Sequence, residues 1–178
     1  GDALAVKVDC SDDGEVGLLG IHPWMHRGIE ALVLNHGTYD RVPAQEMEME
    51  HLRHTMKANF EGAVNVWKVV QPHLAPQANM VVVSSQLATR GSPHGADYAA
   101  SKAALSTWAR SLALAVGPEG KRVNVLAPGY VDTDILAGDS DEKRNQRIQE
   151  VPLKRIGTGE DMASIVSFLL SDDAAYIT

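Results

Sequence analysis

The sequence has a single cysteine and no long apolar run, and each of these shortages excludes a class of protein. Cys10 is the only cysteine among the 178 residues, which excludes an internal disulfide framework and a CxxC metal or redox site. No apolar stretch approaches the roughly 18 residues that a membrane-spanning helix needs. The first residues do not join a basic stretch to a long apolar one, so no signal peptide is visible. We therefore expect a cytoplasmic protein that does not bind membranes.

The chain also has fewer basic than acidic residues. Lys and Arg number 16 against 23 Asp and Glu, which gives a formal net charge of -7. This acidity argues against nucleic acid or an anionic membrane surface as the main partner. Apolar residues make up 44% of the chain and charged residues 22%, values that are typical of one globular domain with a buried core.

Short apolar runs alternate along the chain with segments of helical spacing. Continuous apolar runs predict buried strands at residues 3–8, 29–34, 79–85 and 122–127. Apolar residues at helical spacing predict one long helix or two in succession over residues 46–74, and single helices over residues 96–116 and 159–170. This alternation indicates an α/β fold, with a doubly wound parallel sheet and helices on both faces.

Three further segments lack a clear period. Residues 86–95 carry two glycines and a proline and predict a loop, whereas the polar residues 132–150 predict a mobile helical segment. Gly14, Gly17 and Gly20 are spaced three apart, but no apolar strand leads directly into them. They therefore predict a short, poor helix rather than a phosphate-binding turn.

The strongest chemical feature is the segment Tyr98-Ala99-Ala100-Ser101-Lys102. Tyr98 and Lys102 are four residues apart, so on a helix they share one face. A cation beside a phenol favours the phenolate, which lowers the pKa of the tyrosine and suits a general acid or base near neutral pH. The alternative is an ordinary surface Tyr and Lys, because this spacing often occurs by chance.

Two polar residues could act with this pair. Ser85 ends the third predicted strand, thirteen residues before Tyr98, where its hydroxyl could hydrogen-bond a carbonyl oxygen beside the phenol. Taken alone, Ser85 could equally be a turn residue or a helix cap. Asn59 lies in the middle of a predicted helix, a mildly unfavourable position that an interhelix hydrogen bond or exposure to solvent would also explain.

In order and spacing these residues resemble the short-chain dehydrogenase/reductase family, in its compact single-domain form. Ser85, Tyr98 and Lys102 match the family's Ser, Tyr and Lys, and Asn59 matches its helix asparagine. Three strand-end segments are also similar to family motifs: Asp9-Cys10, Leu34-Asn35-His36-Gly37 in place of Asn-Asn-Ala-Gly, and Pro128-Gly129-Tyr130-Val131-Asp132-Thr133 in place of Pro-Gly-x-x-x-Thr. The resemblance runs from residue 1 to residue 178 and is weak at residues 14–28 and 136–150.

The resemblance implies a Rossmann-type oxidoreductase that transfers a hydride between NAD(P)(H) and a small alcohol or ketone. Tyr98 would exchange a proton with the substrate oxygen, and Ser85 would polarise that oxygen. Lys102 would lower the pKa of Tyr98 and hold the nicotinamide ribose, while Asn59 would help to hold a water that links Lys102 to solvent. Residues 134–150 would close over the substrate, and NAD and NADP remain alternatives.

The same resemblance implies a set of cofactor contacts at the strand ends. Asp9 and Cys10 would hold the adenine, and Asn35 and Gly37 would line the adenosine side. The full set consists of Asp9, Cys10, Asn35, His36, Gly37, Tyr98, Lys102, Pro128, Gly129, Val131 and Thr133. His36 stands where the family has a small residue and could narrow this loop, point into solvent or pack on the adenine.

No metal site is expected. His22 and His26 are four residues apart and His51 and His54 are three apart, spacings that could bind a metal from one helix face. Neither pair has an evident third ligand. Cys10 is interpreted as a small buried hydrophobic residue rather than a reactive thiol.

Measured against the family, the sequence lacks the first βαβ unit, with its glycine-rich turn, and the last strand. We therefore expect residues 1–178 to form a single, incomplete dinucleotide-binding domain. The alternative to an enzyme is a non-catalytic fragment or an interaction protein without the pyrophosphate-binding turn. Trp67 and Trp108 lie on the two long helices by which the family commonly assembles, so we expect a homodimer or homotetramer.

Overall fold

Three parallel strands in the order β1-β2-β3 form the sheet in the computed structural model, which describes residues 3–178. They are β1 (Ile29–Leu34), β2 (Leu74–Val83) and β3 (Arg122–Leu126). The central strand β2 pairs with both neighbours, so that Leu34 lies opposite Val82 and Leu126 lies opposite Val83. Because all three strands run in one direction, their carboxyl ends meet at a single edge of the sheet.

Helices connect these strands. They are α1 (Asp13–Gly20), α2 (Met49–Met56), α3 (Gly62–Val70), α4 (Leu87–Arg90), α5 (Ala96–Val116), α6 (Asp141–Glu150) and α7 (Gly159–Leu170). Short 3-10 turns occur at Pro23–Arg27, Gln71–His73, Gly117–Glu119, Asp134–Leu136 and Asp172–Ala174. None of the helices in the described part of the chain is long and apolar enough to cross a membrane.

The sheet has helices on both faces, as the doubly wound pattern predicts. On one face Met80 and Val82 of β2 pack with Trp67 of α3 and with Leu105 of α5 in the hydrophobic core. Side chains of a strand alternate between faces, so Asn79 points to the opposite side. There its amide donates a hydrogen bond to the carbonyl of Leu170, at the end of α7.

Long periodic segments are the ones whose bounds the sequence predicts best. β1, α5 and α7 occupy residues 29–34, 96–116 and 159–170, and these predictions are confirmed. The three glycines between residues 14 and 20 lie inside α1, so the short helix predicted there is also confirmed. The predicted strand at residues 79–85 begins earlier and ends at Val83.

Two local predictions are wrong. Residues 3–8 do not form a strand: no described strand pairs with them, and Leu4 and Val6 are exposed. An extended apolar segment needs a neighbouring strand for its backbone hydrogen bonds, and composition alone does not supply one. Residues 86–95 are not loop throughout, because α4 forms one turn of helix immediately after Ser85.

The predicted helical stretch over residues 46–74 forms α2 and α3, which are joined without a break by a turn of different helical geometry. Between α2 and α3, residues Lys57–Glu61 adopt a π-helical turn, in which the N–H of Gly62 donates to the carbonyl of Lys57. Such a turn inserts one extra residue into the helix and is frequent at functional sites. Here it contains Asn59, whose side chain is completely buried.

Two tryptophans join the long helices to the core. Trp67 is buried, and its ring lies 6.4 Å from that of Trp108 in an edge-to-face arrangement. Trp67 is therefore a core residue. Leu105, on the same helix as Trp108, is among the most deeply buried side chains of the molecule.

The core predicts a large difference between two leucines of α5. Leu105 is 1% exposed and Leu114 is 82% exposed. We expect Leu105→Ala to lower the free energy of unfolding by about 2–5 kcal/mol, because it removes buried methyl groups and leaves a cavity. Urea denaturation followed by circular dichroism measures this loss. The matched control Leu114→Ala should change stability by less than about 0.5 kcal/mol, and equal losses in the two variants would contradict the assigned core.

Candidate active site

A cavity of about 810 Å³ opens at the carboxyl ends of the strands. Val33, Val83 and Leu126, from the ends of the three strands, form part of its wall. Most of the site residues predicted from the sequence also line it: Asn35, Gly37, Ser85, Tyr98, Lys102, Pro128, Gly129, Val131 and Thr133. The other four, Asp9, Cys10, His36 and Asn59, do not contact this cavity.

Tyr98 and Lys102 lie on one face of α5 near its amino end. The ammonium nitrogen of Lys102 is 5.8 Å from the centre of the Tyr98 ring. It donates a hydrogen bond of 3.0 Å to the carbonyl of Val83 and a longer one of 3.5 Å to the carbonyl of His36. Lys102 is only 3% exposed, and this burial lowers its pKa to about 8. The pair is thus buried, in contrast to the surface pair that chance spacing would produce.

The pKa of Tyr98 departs from the sequence prediction. Burial raises the pKa of the phenol, a hydrogen bond with the Ser85 side chain lowers it, and the neighbouring Tyr39 raises it, with a net shift upward. The lowering expected from Lys102 does not appear, because its ammonium group faces the Val83 carbonyl and the phenol is desolvated. Spacing on a helix predicts which groups are neighbours, but it does not predict their solvation.

Ser85 and Ser84 at the end of β2 have different roles. Ser85 lines the cavity, and its hydroxyl oxygen accepts a hydrogen bond from the N–H of Leu87 at 3.1 Å. Ser85 therefore makes a turn contact, one of the alternatives that the sequence left open, and it also lines the cavity; the N-cap of α4 is Gln86. Ser84 is buried, and its hydroxyl donates to the backbone carbonyl of Lys102 at 3.0 Å. Ser106 donates to the same carbonyl at 2.7 Å, so the end of β2 and the helix are fixed together at Lys102.

Asn59 crosslinks the loop after β1 to helix α5 without entering the cavity. Its side-chain oxygen accepts from the N–H of Thr38 at 2.7 Å. Its amide donates to the carbonyl of Thr38 at 2.9 Å and to the hydroxyl of Ser101 at 3.0 Å. Gly37 fits closely beside it, because a Cβ there would lie 3.1 Å from the Asn59 oxygen and 3.2 Å from the Lys102 nitrogen. Asn59 therefore holds the loop after β1 against α5, next to Tyr98 and Lys102.

The residues expected to hold the adenine lie outside the cavity. His36 points toward α3, where a Cβ on Gly62 would lie 3.2 Å both from its Nε2 atom and from the Cβ of Cys10. Burial lowers the pKa of His36, and the nearby charge of Lys102 lowers it further. Asp9 is exposed, and its carboxylate accepts from the N–H of Ser11 at 2.8 Å. His36 thus packs against α3, which is neither a solvent-exposed position nor one on the cavity wall.

Two tyrosines in mutual contact line the cavity. The ring of Tyr39 lies 4.6 Å from that of Tyr98, and its hydroxyl donates to the carbonyl of His94 at 2.7 Å. Gly95 has a φ of +143°, and a Cβ at this position would come within 2.3 Å of the Tyr39 ring. Glycine is therefore required for Tyr39 to pack here. No motif in the sequence singles out Tyr39.

The segment predicted to be polar and mobile is tied to the loop after β1 by ion pairs. The Asp139 carboxylate lies 2.5 Å from Arg41 and 2.6 Å from Arg147, and these two guanidinium groups enclose its side chain. Burial raises the pKa of Asp139, but the hydrogen bonds from Arg147 and Arg41 outweigh it and lower the pKa overall. The helical part of the prediction is confirmed by α6, whose first turn is capped by Ser140.

Comparison with known proteins places this fold and cavity in a family. A family profile described as enoyl-(acyl carrier protein) reductase matches residues 2–178. A solved structure of a short-chain dehydrogenase/reductase from Brucella melitensis superposes with a TM-score of 0.91, at 29% identity, and the match covers 97% of this chain and 71% of that one. The chain belongs to the short-chain dehydrogenase/reductase family. The resemblance drawn from the motifs is confirmed.

Relatives in this family include reductases of acyl carrier protein substrates. The 3-oxoacyl-(acyl-carrier-protein) reductase FabG of Chlamydia muridarum is 35% identical over 152 residues, which cover 84% of this chain and 61% of that protein. The corresponding reductase MabA of Mycobacterium tuberculosis is 32% identical over 178 residues, which cover 98% of this chain and 72% of that protein. The chain thus spans about three fifths of the chlamydial protein.

One further solved structure carries a bound cofactor. A xylitol dehydrogenase with bound NAD+ superposes with a TM-score of 0.86 at 24% identity, and the match covers 96% of this chain and 74% of that one. At this identity the likeness supports the fold alone. Within residues 3–178 no group of three or more His, Cys, Asp and Glu side chains is arranged to hold a metal ion.

The buried ammonium group predicts a pH dependence of stability. The pKa of Lys102 is about 8 in the folded chain, against an ordinary value of 10.5, so between these values the unfolded chain binds more protons. Stability must then rise with pH across this window. We expect the difference in unfolding free energy between the parent chain and Lys102→Met to shift by about 2 kcal/mol in favour of the parent from pH 7.5 to pH 9.5.

Urea denaturation at several pH values measures this shift. The matched control is Lys68→Met, which removes an exposed lysine from α3. Its difference from the parent should stay constant across the same window. A constant difference for Lys102→Met as well would contradict the burial of its ammonium group.

Proposed function

We propose that the chain carries the catalytic part of an NAD(P)-dependent oxidoreductase that interconverts a ketone and an alcohol. The single observation that carries the proposal is the convergence of Ser85, Tyr98 and Lys102 on one cavity at the strand ends. Membership of the short-chain dehydrogenase/reductase family supports it. The 3-oxoacyl reductases among the relatives favour reduction of a carbonyl group as the direction.

Tyr98 exchanges the proton in this proposal. Its phenol donates to the carbonyl oxygen during reduction and accepts a proton from the alcohol during oxidation. The raised pKa of Tyr98 keeps the phenol protonated at neutral pH, which suits the direction of reduction. Ser85 orients the same oxygen: its own oxygen accepts from Leu87, and its O–H, which interacts with the Tyr98 phenol in the structure, would donate to the substrate oxygen instead.

Lys102 supplies the proton that restores the Tyr98 phenol in this proposal. With a pKa of about 8, its ammonium can release a proton near neutral pH, so it can help to restore the Tyr98 phenol after each reduction. In the same proposal Lys102 holds the nicotinamide ribose. Asn59 is a positioning residue that fixes Thr38 and Ser101 on either side of this lysine, and a water between Lys102 and solvent completes the path.

The residues around Lys102 fit the nicotinamide half of a dinucleotide. Gly37 leaves space that a Cβ would fill, and the cavity wall continues through a set of small and polar groups. This set consists of Asn35, Pro128, Gly129, Val131 and Thr133. A bound nicotinamide would supply or accept the hydride, and the chain would supply orientation and electrostatics. Contacts of Asp9, Cys10 and His36 with the adenine, and the choice between NAD and NADP, remain part of the proposal.

We further propose that residues 1–178 form one dinucleotide-binding domain, that the protein acts in the cytoplasm, and that it assembles as a homodimer or homotetramer. Helix α5 supports the last point, because it carries the half-buried Trp108 and the strongly exposed Leu114. A second copy packed on this helix would cover both side chains. Size-exclusion chromatography with light scattering measures the mass of the assembly.

Turnover of a ketone should depend on the Tyr98 hydroxyl. We expect Tyr98→Phe to lower kcat at least about 100-fold, because the substrate oxygen loses its proton donor, while NADPH and NADH affinity changes little. The matched control Tyr176→Phe removes the hydroxyl of a fully exposed tyrosine and should keep full activity. Unchanged turnover in Tyr98→Phe would contradict the proposed mechanism.

Cofactor binding is tested separately from turnover. Trp24, Trp67 and Trp108 supply intrinsic fluorescence, and we expect saturable quenching by NADH or NADPH. Comparison of the two cofactors decides between NAD and NADP. Absence of binding to both at millimolar concentrations would overturn the enzyme proposal for this chain and favour a non-catalytic interaction protein.

A further inference from the structure

The cavity wall carries positive charge that the proposed hydride transfer does not use. Besides Lys102, the side chains of Arg41, Arg90, Lys143 and Arg147 line the cavity. Among the described residues, the wall includes no Asp or Glu. The chain as a whole has a net charge of -7, so this is a local reversal of sign. A cavity with cationic walls raises the local concentration of anions.

A single carboxylate, that of Asp139, forms ion pairs with three of these cations. Asp139 lies 2.5 Å from Arg41, 2.6 Å from Arg147 and 3.9 Å from the ammonium of Lys143. One negative charge among three positive ones leaves an excess of positive charge beside the cavity. Because both guanidinium groups are engaged with Asp139, they are held in place and are not free to take a ligand directly.

Arg90 and Lys143 are the cations that remain available. The Arg90 guanidinium lies 3.8 Å from Glu150, and the side chains of this pair are 57% and 39% exposed. Exposed pairs of this kind contribute little. The Lys143 side chain is 48% exposed and makes only its long contact with Asp139. One face of α6 carries Lys143, Arg147 and Glu150. Because Arg90 lies beside Glu150, the two available cations lie at the same wall of the cavity.

A series of contacts connects this charge to Tyr98. The Lys102 ammonium lies 5.8 Å from the centre of the Tyr98 ring, and the Tyr39 ring packs 4.6 Å from that of Tyr98. The Arg41 guanidinium lies 6.0 Å from the centre of the Tyr39 ring and leads on to Asp139. In the proposed function Lys102 holds the nicotinamide ribose, which leaves the wall around Arg41 and Asp139 for the substrate.

We propose that the substrate carries an anionic oxygen group, a carboxylate or a phosphate, which Arg90 and Lys143 bind while its ketone faces Tyr98. This inference rests on the proposed function, because it assigns to the substrate the part of the cavity that the nicotinamide ribose does not occupy. Arg41 and Arg147, fixed by Asp139, keep the electrostatic potential of the wall positive. Both binding cations are partly exposed, so the gain in affinity over a neutral substrate is roughly tenfold.

The test compares pairs of ketones that differ in charge. One pair is acetoacetate and its methyl ester, and the other is dihydroxyacetone phosphate and dihydroxyacetone. Their binding to the full chain is measured by calorimetry without nicotinamide, so the result does not depend on turnover. We expect the anionic member of at least one pair to bind about tenfold more tightly than the neutral member. The pair that shows the preference identifies the group as carboxylate or phosphate.

Charge-removing variants assign the preference to the two cations. Arg90→Gln and Lys143→Gln should each weaken it about threefold, and the double variant should abolish it. The matched control Arg110→Gln removes an exposed arginine of α5 that does not line the cavity, and it should keep the preference. Circular dichroism checks that each variant is folded.

Several outcomes would overturn the inference. They are equal affinity for the two members of both pairs, absence of binding by all four ketones, a preference that survives in the double variant, and an equal loss in Arg110→Gln. Equal affinity of the parent chain for the two members of both pairs, while it still reduces a neutral ketone, would overturn this inference alone. A preserved preference in a chain that reduces no ketone would overturn the proposed function while supporting an anion site at Arg90 and Lys143.

Discussion

Burial of the Lys102 ammonium at the carboxyl end of β2 costs solvation free energy, and the surrounding elements are arranged to offset this cost. The carbonyl of Val83 accepts one of its hydrogen bonds, and the carbonyl of His36 lies at the limit of a second. Ser84 and Ser106 hold the backbone carbonyl of the lysine, which fixes the helix against the strand. A cation that is buried and only partly compensated has a lowered pKa. The same burial gives Lys102 a proton affinity that suits chemistry near neutral pH.

The π-helical turn is a second consequence of this arrangement. A regular α-helix over residues 49–70 would not contain the extra residue that Lys57–Glu61 accommodates. The turn contains Asn59, whose three side-chain hydrogen bonds join Thr38 to Ser101. These bonds bring Gly37 close to Lys102, an approach that a larger residue would obstruct. The loop after β1 is therefore held in place by polar crosslinks to α5.

Several parts of the molecule follow from local sequence alone. The bounds of β1, α5 and α7 could be predicted because their residues share one period and end at clear signals. The order of Ser85, Tyr98 and Lys102, taken with Asn59 and the strand-end segments, indicated the family, and the cavity contains those three residues. In contrast, the apolar residues 3–8 resemble a strand, yet a strand exists only when another strand pairs with it.

The sequence by itself determined the fold class, the family and the face of α5 that carries Tyr98 and Lys102. Tertiary structure alone decided the meeting of Arg41 with Asp139, which are 98 residues apart, and the packing of His36 against α3. It also decided the upward shift in the pKa of Tyr98. Helical spacing fixes which side chains are neighbours along one element. Solvation and charge balance depend on all elements packed around a group, and only the folded chain brings those elements together.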